Sequence, residues 1–200
     1  MNTKDHRGRP IVAVTGLGVV SSLGKGKEEN WRKLTAGESG IHEIERFAVE
    51  GLKTTVAGTV DFMDIETMSA PELSLALAEF AADEAVAQAD IDVGDFPGPL
   101  FLAAPPVEME WQHRFELDSE LPPGEIEGYK RLLQAARKER HQQMFELVQF
   151  NRTADLLAEK FGTKGLPISL STACASGATA VQLGVEAIRR GETDTALCIG

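Results

Sequence analysis

The sequence predicts an α/β protein with a largely parallel sheet. Short apolar runs at residues 11–15, 100–104, 167–172 and 195–200 read as strands, and helical patterns separate them. The run at 11–15 (IVAVT) is β-branched and continuous, as in a strand buried on both faces. No internal repeat and no low-complexity linker interrupts the alternation.

A glycine-rich turn, GLGVVSSLG, follows the first run. A polar helix then passes through residues 28–34 and ends at GESG, residues 37–40. Residues 41–62 read as irregular, with strand pieces such as 54–60. Residues 71–89 form the clearest helix: Pro71 suits a first turn, and Leu73, Leu77, Phe80, Ala81, Ala85 and Val86 fall mostly on one face. Pro97 and Pro99 punctuate a turn before the apolar strand at 100–104.

Residues 105–145 change character. They hold Glu108, Glu110, Glu116, Asp118, Glu120, Glu125, Glu127 and Glu139 against six Lys and Arg, with Trp111, Phe115, Tyr129 and Phe145 interleaved. Charge patterning makes this a solvated helical excursion with a few packing anchors. Helix resumes over 144–161, and PISLST at 167–172 reads as a buried strand. A helix over 175–190 is built of small and apolar residues and closes on Arg189, Arg190 and Gly191. TALCIG opens a further strand.

The chain has 200 residues and a formal net charge of −11, enough for one moderate domain or two small ones. The acidic balance argues against nonspecific binding to nucleic acid or an anionic membrane. No apolar run approaches the roughly 18 residues that cross a bilayer. The basic lead Lys4, Arg7 and Arg9 before an apolar stretch imitates a signal peptide. Thr15, Gly16 and Gly18 interrupt that stretch, and no small-x-small cleavage site closes it. Two cysteines, Cys174 and Cys198, are too few for a disulfide framework, so a cytoplasmic location is expected and the sequon at Asn151 carries no weight.

Two turns are candidates for chemistry. Gly16-x-Gly18-x-x-Ser21 after a strand has the outline of a dinucleotide-binding turn, but Ser21 replaces the third glycine. The acidic residue expected about 20 positions on is Glu38, within a loop. Cys174 is the stronger candidate, lying between a strand and an almost uncharged helix. Backbone N–H groups and the macrodipole at a helix start favour negative charge, hence the nucleophilic thiolate. The same N–H groups are placed to serve an oxyanion hole, and Ala175, Ser176, Gly177 and Ala178 admit a close substrate. Position alone leaves a second reading open, a buried structural thiol. Cys198, in an apolar strand, reads as core.

These residues resemble the β-ketoacyl-acyl carrier protein synthases, elongating condensing enzymes of the thiolase superfamily. VAVTGLGVVSSLGKG at 12–26 resembles the family's opening strand and turn. Trp31, Leu34, Gly37, Ser39, Gly40 and Ile41 resemble its W-x-x-L-x-x-G-x-S-G-I segment, and STACASGA at 171–178 its nucleophile motif. The Ala-Ser-Gly after Cys174 is closer to stand-alone elongating synthases than to modular polyketide synthases. A cysteine at that place differs from the glutamine of the non-catalytic chain-length partner. Ser22 stands where proline is common, and Ala48 where aspartate often follows phenylalanine. The usual Asp-Arg pair is absent from MSAPELS.

The resemblance implies a thiolase-like fold, amino-terminal half, with residues 1–200 an incomplete ketosynthase domain truncated at Gly200 and 105–145 an excursion within it. It implies Cys174 as nucleophile and oxyanion-hole N–H donor, and no cofactor or metal. It implies acyl and malonyl groups carried on acyl carrier protein and a homodimer as the complete protein. The family's two histidines and lysine lie in the second half of a roughly twice-longer chain. His6, His42, His113 and His141 occupy none of its motif positions and are expected on the surface. Lys130, Arg131, Arg137, Lys138 and Arg140 offer a local basic patch for an acidic carrier protein. Three alternatives stand beside this reading: a catalytically inactive truncated chain or partner subunit, nucleotide binding through Gly16 and Gly18, and a thiolase acting on coenzyme A.

Overall fold

The computed structural model describes residues 3–45, 47–63, 70–105, 109, 111–122, 124, 126–138 and 142–200. Glu108, Glu110, Glu125, Glu139, Arg140 and His141 lie outside them. So do Met68 and Ser69 of MSAPELS. The elements in order are β1 (Val20–Ser21), β2 (Gly24–Lys25), α1 (Lys27–Thr35), β3 (His42–Glu43), β4 (Val56–Ala57), α2 (Ala70–Gln88) and β5 (Leu100–Ala103). Helices α3 (Trp111–Ser119), α4 (Tyr129–Ala136), α5 (Gln142–Leu147) and α6 (Arg152–Phe161) follow, then β6 (Ile168–Leu170), α7 (Ser176–Arg189) and β7 (Leu197–Ile199).

The central sheet is parallel, in the order β6-β5-β7, and Phe101 pairs with both Ile168 and Cys198. Alternation along β5 and β7 sorts their side chains to two faces. Leu100, Leu102, Leu197 and Ile199 pack with Ala82 and Val86 of α2 and with Ala154, Leu157 and Phe161 of α6. Phe101, Ala103, Ala196 and Cys198 meet Ala180, Leu183 and Ala187 of α7. The result is three layers, with α2 and α6 on one side and α7 on the other. Leu100, Leu157 and Phe161 are fully buried, each worth roughly 1.5–3 kcal/mol in transfer from water. Lys160 ties α6 to α2, donating to Asp83 at 2.8 Å.

The first apolar run is not a sheet strand. Residues 11–19 take no strand pairing, and Val14 is 82 % exposed. Its continuation lies instead across α2. A Cβ on Gly16 would stand 1.9 Å from the Ala85 carbonyl oxygen, and one on Gly18 1.8 Å from that of Ala81. Polar side chains of α2 secure the crossing: Gln88 accepts from Leu17 N at 3.1 Å and Glu84 from Val19 N at 2.9 Å. Glu84 also accepts from Lys27 N at 2.9 Å, setting a carboxylate against the positive end of α1. Asn30, buried, donates to the carbonyls of Gly24 and Gly26 at 2.8 Å and so fixes the β1–β2 hairpin. Gly37, at φ +70°, closes α1 in the left-handed conformation that glycine adopts without penalty.

Other expectations change in detail. The buried stripe of α2 is Leu75, Ala78, Ala82 and Val86, because Ala81 and Ala85 are taken up by the glycine segment. Strand β6 is a sheet edge with Ile168 46 % exposed, not a buried strand. The helix expected over 144–161 breaks at 148–151. There Gln149 and Arg152 bond three residues back, and Asn151 turns its side chain to Asp155 at 2.6 Å.

Helices α3 and α4 share a small core of Leu117, Ala135 and Met144, with Met109, Leu121 and Leu132 against it. Three of the expected aromatic anchors, Phe115, Tyr129 and Phe145, are exposed, and the side chain of Trp111 lies outside the described residues. Arg131 holds the α3–α4 connection, donating to Asp118 Oδ1 at 2.5 Å, to the Asp118 carbonyl at 2.7 Å and to the Pro122 carbonyl at 2.8 Å. It also donates to the Leu121 carbonyl, while Lys138 caps the Glu120 carbonyl at 2.8 Å. Of the expected basic docking patch, only Arg131 is paired with a carboxylate among the described residues. Lys130, Arg137 and Lys138 are exposed, Lys138 while donating to the Glu120 carbonyl, and Arg140 lies outside the described residues.

Candidate active site

Cys174 sits where strand β6 gives way to α7, in a 3-10 turn, Ala173–Ala175, that precedes the helix. It is exposed, which removes the reading of a buried structural thiol. The backbone just before it is strained: Ala173 has φ +52°, a region that costs a non-glycine residue of order 1–3 kcal/mol. That conformation lifts the cysteine out of the strand direction and presents it at the carboxyl edge of the sheet.

A ring of hydroxyls holds the turn. Ser176 Oγ accepts from Thr172 N at 2.8 Å and donates to the Ala173 carbonyl at 2.7 Å. Thr179 Oγ1 donates to the Ala175 carbonyl at 2.9 Å and lies 3.2 Å from Thr172 Oγ1. By sequence, Ser176 reads only as a small residue. Its bracing role carries no capping signature, since Thr172 and Ser176 stand four residues apart and neither helix start has a side-chain cap. The strain at Ala173 had no sequence signal.

Cys198 is the contrasting thiol. It lies half-buried between β5 and α7, with its sulfur against Gly184, where an added Cβ would come within 2.5 Å. Burial pushes its pKa up and keeps it neutral. Among the described residues, no histidine is hydrogen-bonded to Cys174's turn. His42 Nε2 lies 3.0 Å from Asp61 Oδ2 and also meets Thr59, an exposed clasp beside the β3–β4 hairpin. His6 is exposed, and His113 is half-buried rather than on the surface. Gly16 and Gly18 are occupied in seating the chain on α2, so they form no phosphate cradle.

A cavity of about 470 Å³ opens at the carboxyl ends of β5 and β7. It is lined by residues 18–20, the start of α2, residues 102–105, Phe150, Thr153, Ile199 and Gly200. Cys174 is not among them. Among the described residues no cluster of His, Cys, Asp or Glu is arranged to hold a metal ion, and no helix is long and apolar enough to cross a membrane.

The parallel sheet is covered on both faces, and an exposed cysteine stands at the start of the helix that crosses from β6 to β7. The Beta-ketoacyl synthase, N-terminal domain family model matches residues 9–93 and 121–200, and the chain belongs to that family. A protein named polyketide beta-ketoacyl synthase 1 of Streptomyces cyaneus is 30 % identical over 194 residues, 94 % of this chain and 44 % of its own. The 3-oxoacyl-acyl-carrier-protein synthase 2 of Coxiella burnetii is 24 % identical, over 94 % of this chain and 45 % of its own. Among solved structures, the ishigamide ketosynthase/chain length factor matches with a TM-score of 0.67 and 26 % identity, over 92 % of this chain and 45 % of that one. A type II polyketide synthase ketosynthase in complex with its acyl-carrier protein matches with a TM-score of 0.66 and 26 % identity, over 93 % and 44 %. The fold is therefore the thiolase-like fold of ketosynthases, and the chain spans about half the length of the relatives it matches. Residues 94–120, which include α3, fall between the two matched parts.

Proposed function

We propose that this chain is the nucleophile-bearing portion of a 3-oxoacyl-acyl carrier protein synthase, with Cys174 as the acyl acceptor. The observation that carries the reading is the exposed Cys174 on its strained turn at the start of α7, in a member of this family. The Cys174 thiolate attacks the carbonyl carbon of an acyl thioester, the carrier's thiolate leaves, and the acyl group rests on sulfur. Malonyl-acyl carrier protein then loses carbon dioxide. The enolate carbon attacks the acyl-cysteine carbonyl, and the Cys174 thiolate leaves as the β-ketoacyl product forms. Covalent catalysis divides one difficult carbon–carbon bond formation into two transfers. The Cys174 N–H donates to the oxyanion of the first step.

The second step needs donors for the enolate oxygen, which the resemblance assigns to histidines at motifs these 200 residues do not include. The 200-residue chain alone is therefore inactive in condensation. The complete protein works as a homodimer in fatty acid synthesis in the cytoplasm. Exposed Leu166, Ile168 and Val181 beside the open β6 edge support the dimer, as an apolar strip that a second copy covers. Polyketide assembly is the second reading, favoured by the Streptomyces cyaneus relative and by the ishigamide ketosynthase.

The test is incubation with acyl-acyl carrier protein followed by peptide mass mapping, then addition of malonyl-acyl carrier protein. Acylation confined to Cys174 and lost in Cys174→Ala supports the nucleophile. Acylation elsewhere, or none, refutes it. Sustained β-ketoacyl formation by this chain refutes its inactivity in condensation.

A further inference from the structure

We propose that Ser176 is a positioning residue for Cys174: its hydroxyl turns the Cys174 N–H outward, where a developing oxyanion accepts from it. The proposal rests on the reading of Cys174 as the acyl acceptor and adds a residue to that site.

The peptide between Ala173 and Cys174 is trans, so the Ala173 carbonyl and the Cys174 N–H point in opposite directions. Whatever holds that carbonyl therefore aims that N–H. Two donors hold it, both from Ser176: the backbone N–H, and the hydroxyl at 2.7 Å. Ser176 is the first residue of α7, so the Cys174 N–H faces away from the helix start. It is unspent there: among the described residues it donates to no backbone or side-chain acceptor.

The hydroxyl does what the backbone N–H cannot. While donating to the Ala173 carbonyl, Ser176 Oγ accepts from Thr172 N at 2.8 Å. These two partners stand on either side of the Ala173 Cα, and their separation depends on the Ala173 torsions. One oxygen serves both in the observed turn, with Ala173 at φ +52°. Relaxation toward the negative φ that alanine prefers rotates the Thr172–Ala173 peptide against that carbonyl, and the shared hydroxyl opposes the rotation. Without it, a strained residue is held by a 3-10 bond alone, which has poorer geometry. Thr179 holds a different peptide, since its hydroxyl donates to the Ala175 carbonyl.

Two reactions of the thiolate separate aim from exposure. Acylation passes through a tetrahedral oxyanion and draws on the N–H, whereas alkylation by iodoacetamide displaces iodide at saturated carbon and does not. Both consume the thiolate, so the thiolate fraction cancels in the ratio of their rates.

The experiment measures that ratio on the 200-residue chain with p-nitrophenyl acetate and iodoacetamide, read at Cys174 by peptide mass mapping from pH 7 to 9. The thiolate attacks the ester carbonyl and p-nitrophenolate leaves, whether or not an acyl carrier protein is ever a donor. Ser176→Ala should lower the acylation-to-alkylation ratio by about tenfold or more, against the roughly hundredfold or greater loss when such a donor is removed outright. Ser176→Thr should stay within about twofold of the parent, because a threonine hydroxyl also bonds the carbonyl three residues back. If Ser176→Ala fails to fold, the same substitution in an Ala173→Gly chain, where positive φ carries no strain, is compared with Ala173→Gly alone and should show the same fall. A fall short of tenfold, or an equal fall in Ser176→Thr, would overturn the proposal. The expected fall without any acylation by acyl-acyl carrier protein would overturn the acyl-acceptor reading and support the role of Ser176.

Discussion

Gly18→Ala tests the role assigned to the glycine turn. The added methyl would stand 1.8 Å from the Ala81 carbonyl oxygen and 2.7 Å from its carbon, against the 3.4 Å where ordinary contact begins. The obstacle is helix backbone, which cannot rotate aside as a side chain does. The segment has to retreat from α2 by about 1.6 Å, the difference between those two distances. That movement stretches the bonds from Val19 N to Glu84 and from Leu17 N to Gln88, now 2.9 and 3.1 Å. Overpacking of this kind costs about 1–3 kcal/mol, and a weakened bond to a carboxylate adds about 1–2 kcal/mol. The expected loss is about 2–5 kcal/mol, or on the order of 4–20 °C in Tm for a chain of this size. Urea unfolding followed by circular dichroism measures it. Gly124→Ala is the control, since its nearest neighbour would be 3.8 Å away, and it should change stability by less than about 0.5 kcal/mol. A Gly18→Ala chain as stable as the parent would show that the close approach to α2 is not what Gly18 is for.

Two further outcomes are expected. Arg131→Ala should raise hydrogen exchange across α3 and α4 while leaving α2, α6 and α7 protected, because among the described residues its guanidinium bonds within 118–122. Arg131→Lys should not restore protection, since a single ammonium cannot make the forked contacts; exchange rising equally everywhere would refute the local role. Cys198, with its thiol pKa raised by burial above the ordinary 9.0, binds its proton more tightly folded than unfolded. Its contribution is therefore full below about pH 9 and declines as pH rises through the folded value. The pH slope of stability above 9 should be shallower in Cys198→Ala, and an unchanged slope in urea melts at pH 8 to 10.5 would contradict this.

Helix α7, strand β5 and strand β7 were legible because each announces itself locally: small apolar residues closing on Arg189, Arg190 and Gly191, or a short apolar run after prolines. The run at 11–15 shows where that kind of reading stops. Its β-branched residues state a preference for burial in a sheet, but a strand exists only with hydrogen-bonding neighbours, and here β5 pairs directly with β7. The same holds for PISLST, whose apolar content is that of a central strand although β6 is an edge. Composition reports what a segment prefers, and pairing decides what it obtains.

The site divides along a similar line. The junction that carries Cys174 could be placed because a strand-to-helix turn depends on local chain direction, which sequence encodes. Its presentation could not, since φ +52° at Ala173 is a conformation that alanine avoids and the hydroxyls of Thr172, Ser176 and Thr179 sustain. A residue forced against its own preference leaves no propensity signal, because the preference points the other way. The two glycines left an alternative open for the complementary reason. Glycine marks a close approach without naming what approaches, and a helix backbone at 1.8 Å demands the same missing Cβ as a phosphate would. Only Glu84 and Gln88, two polar side chains at one-turn spacing on the clearest predicted helix, distinguished the cases. Their partners lie 65 and 71 residues away.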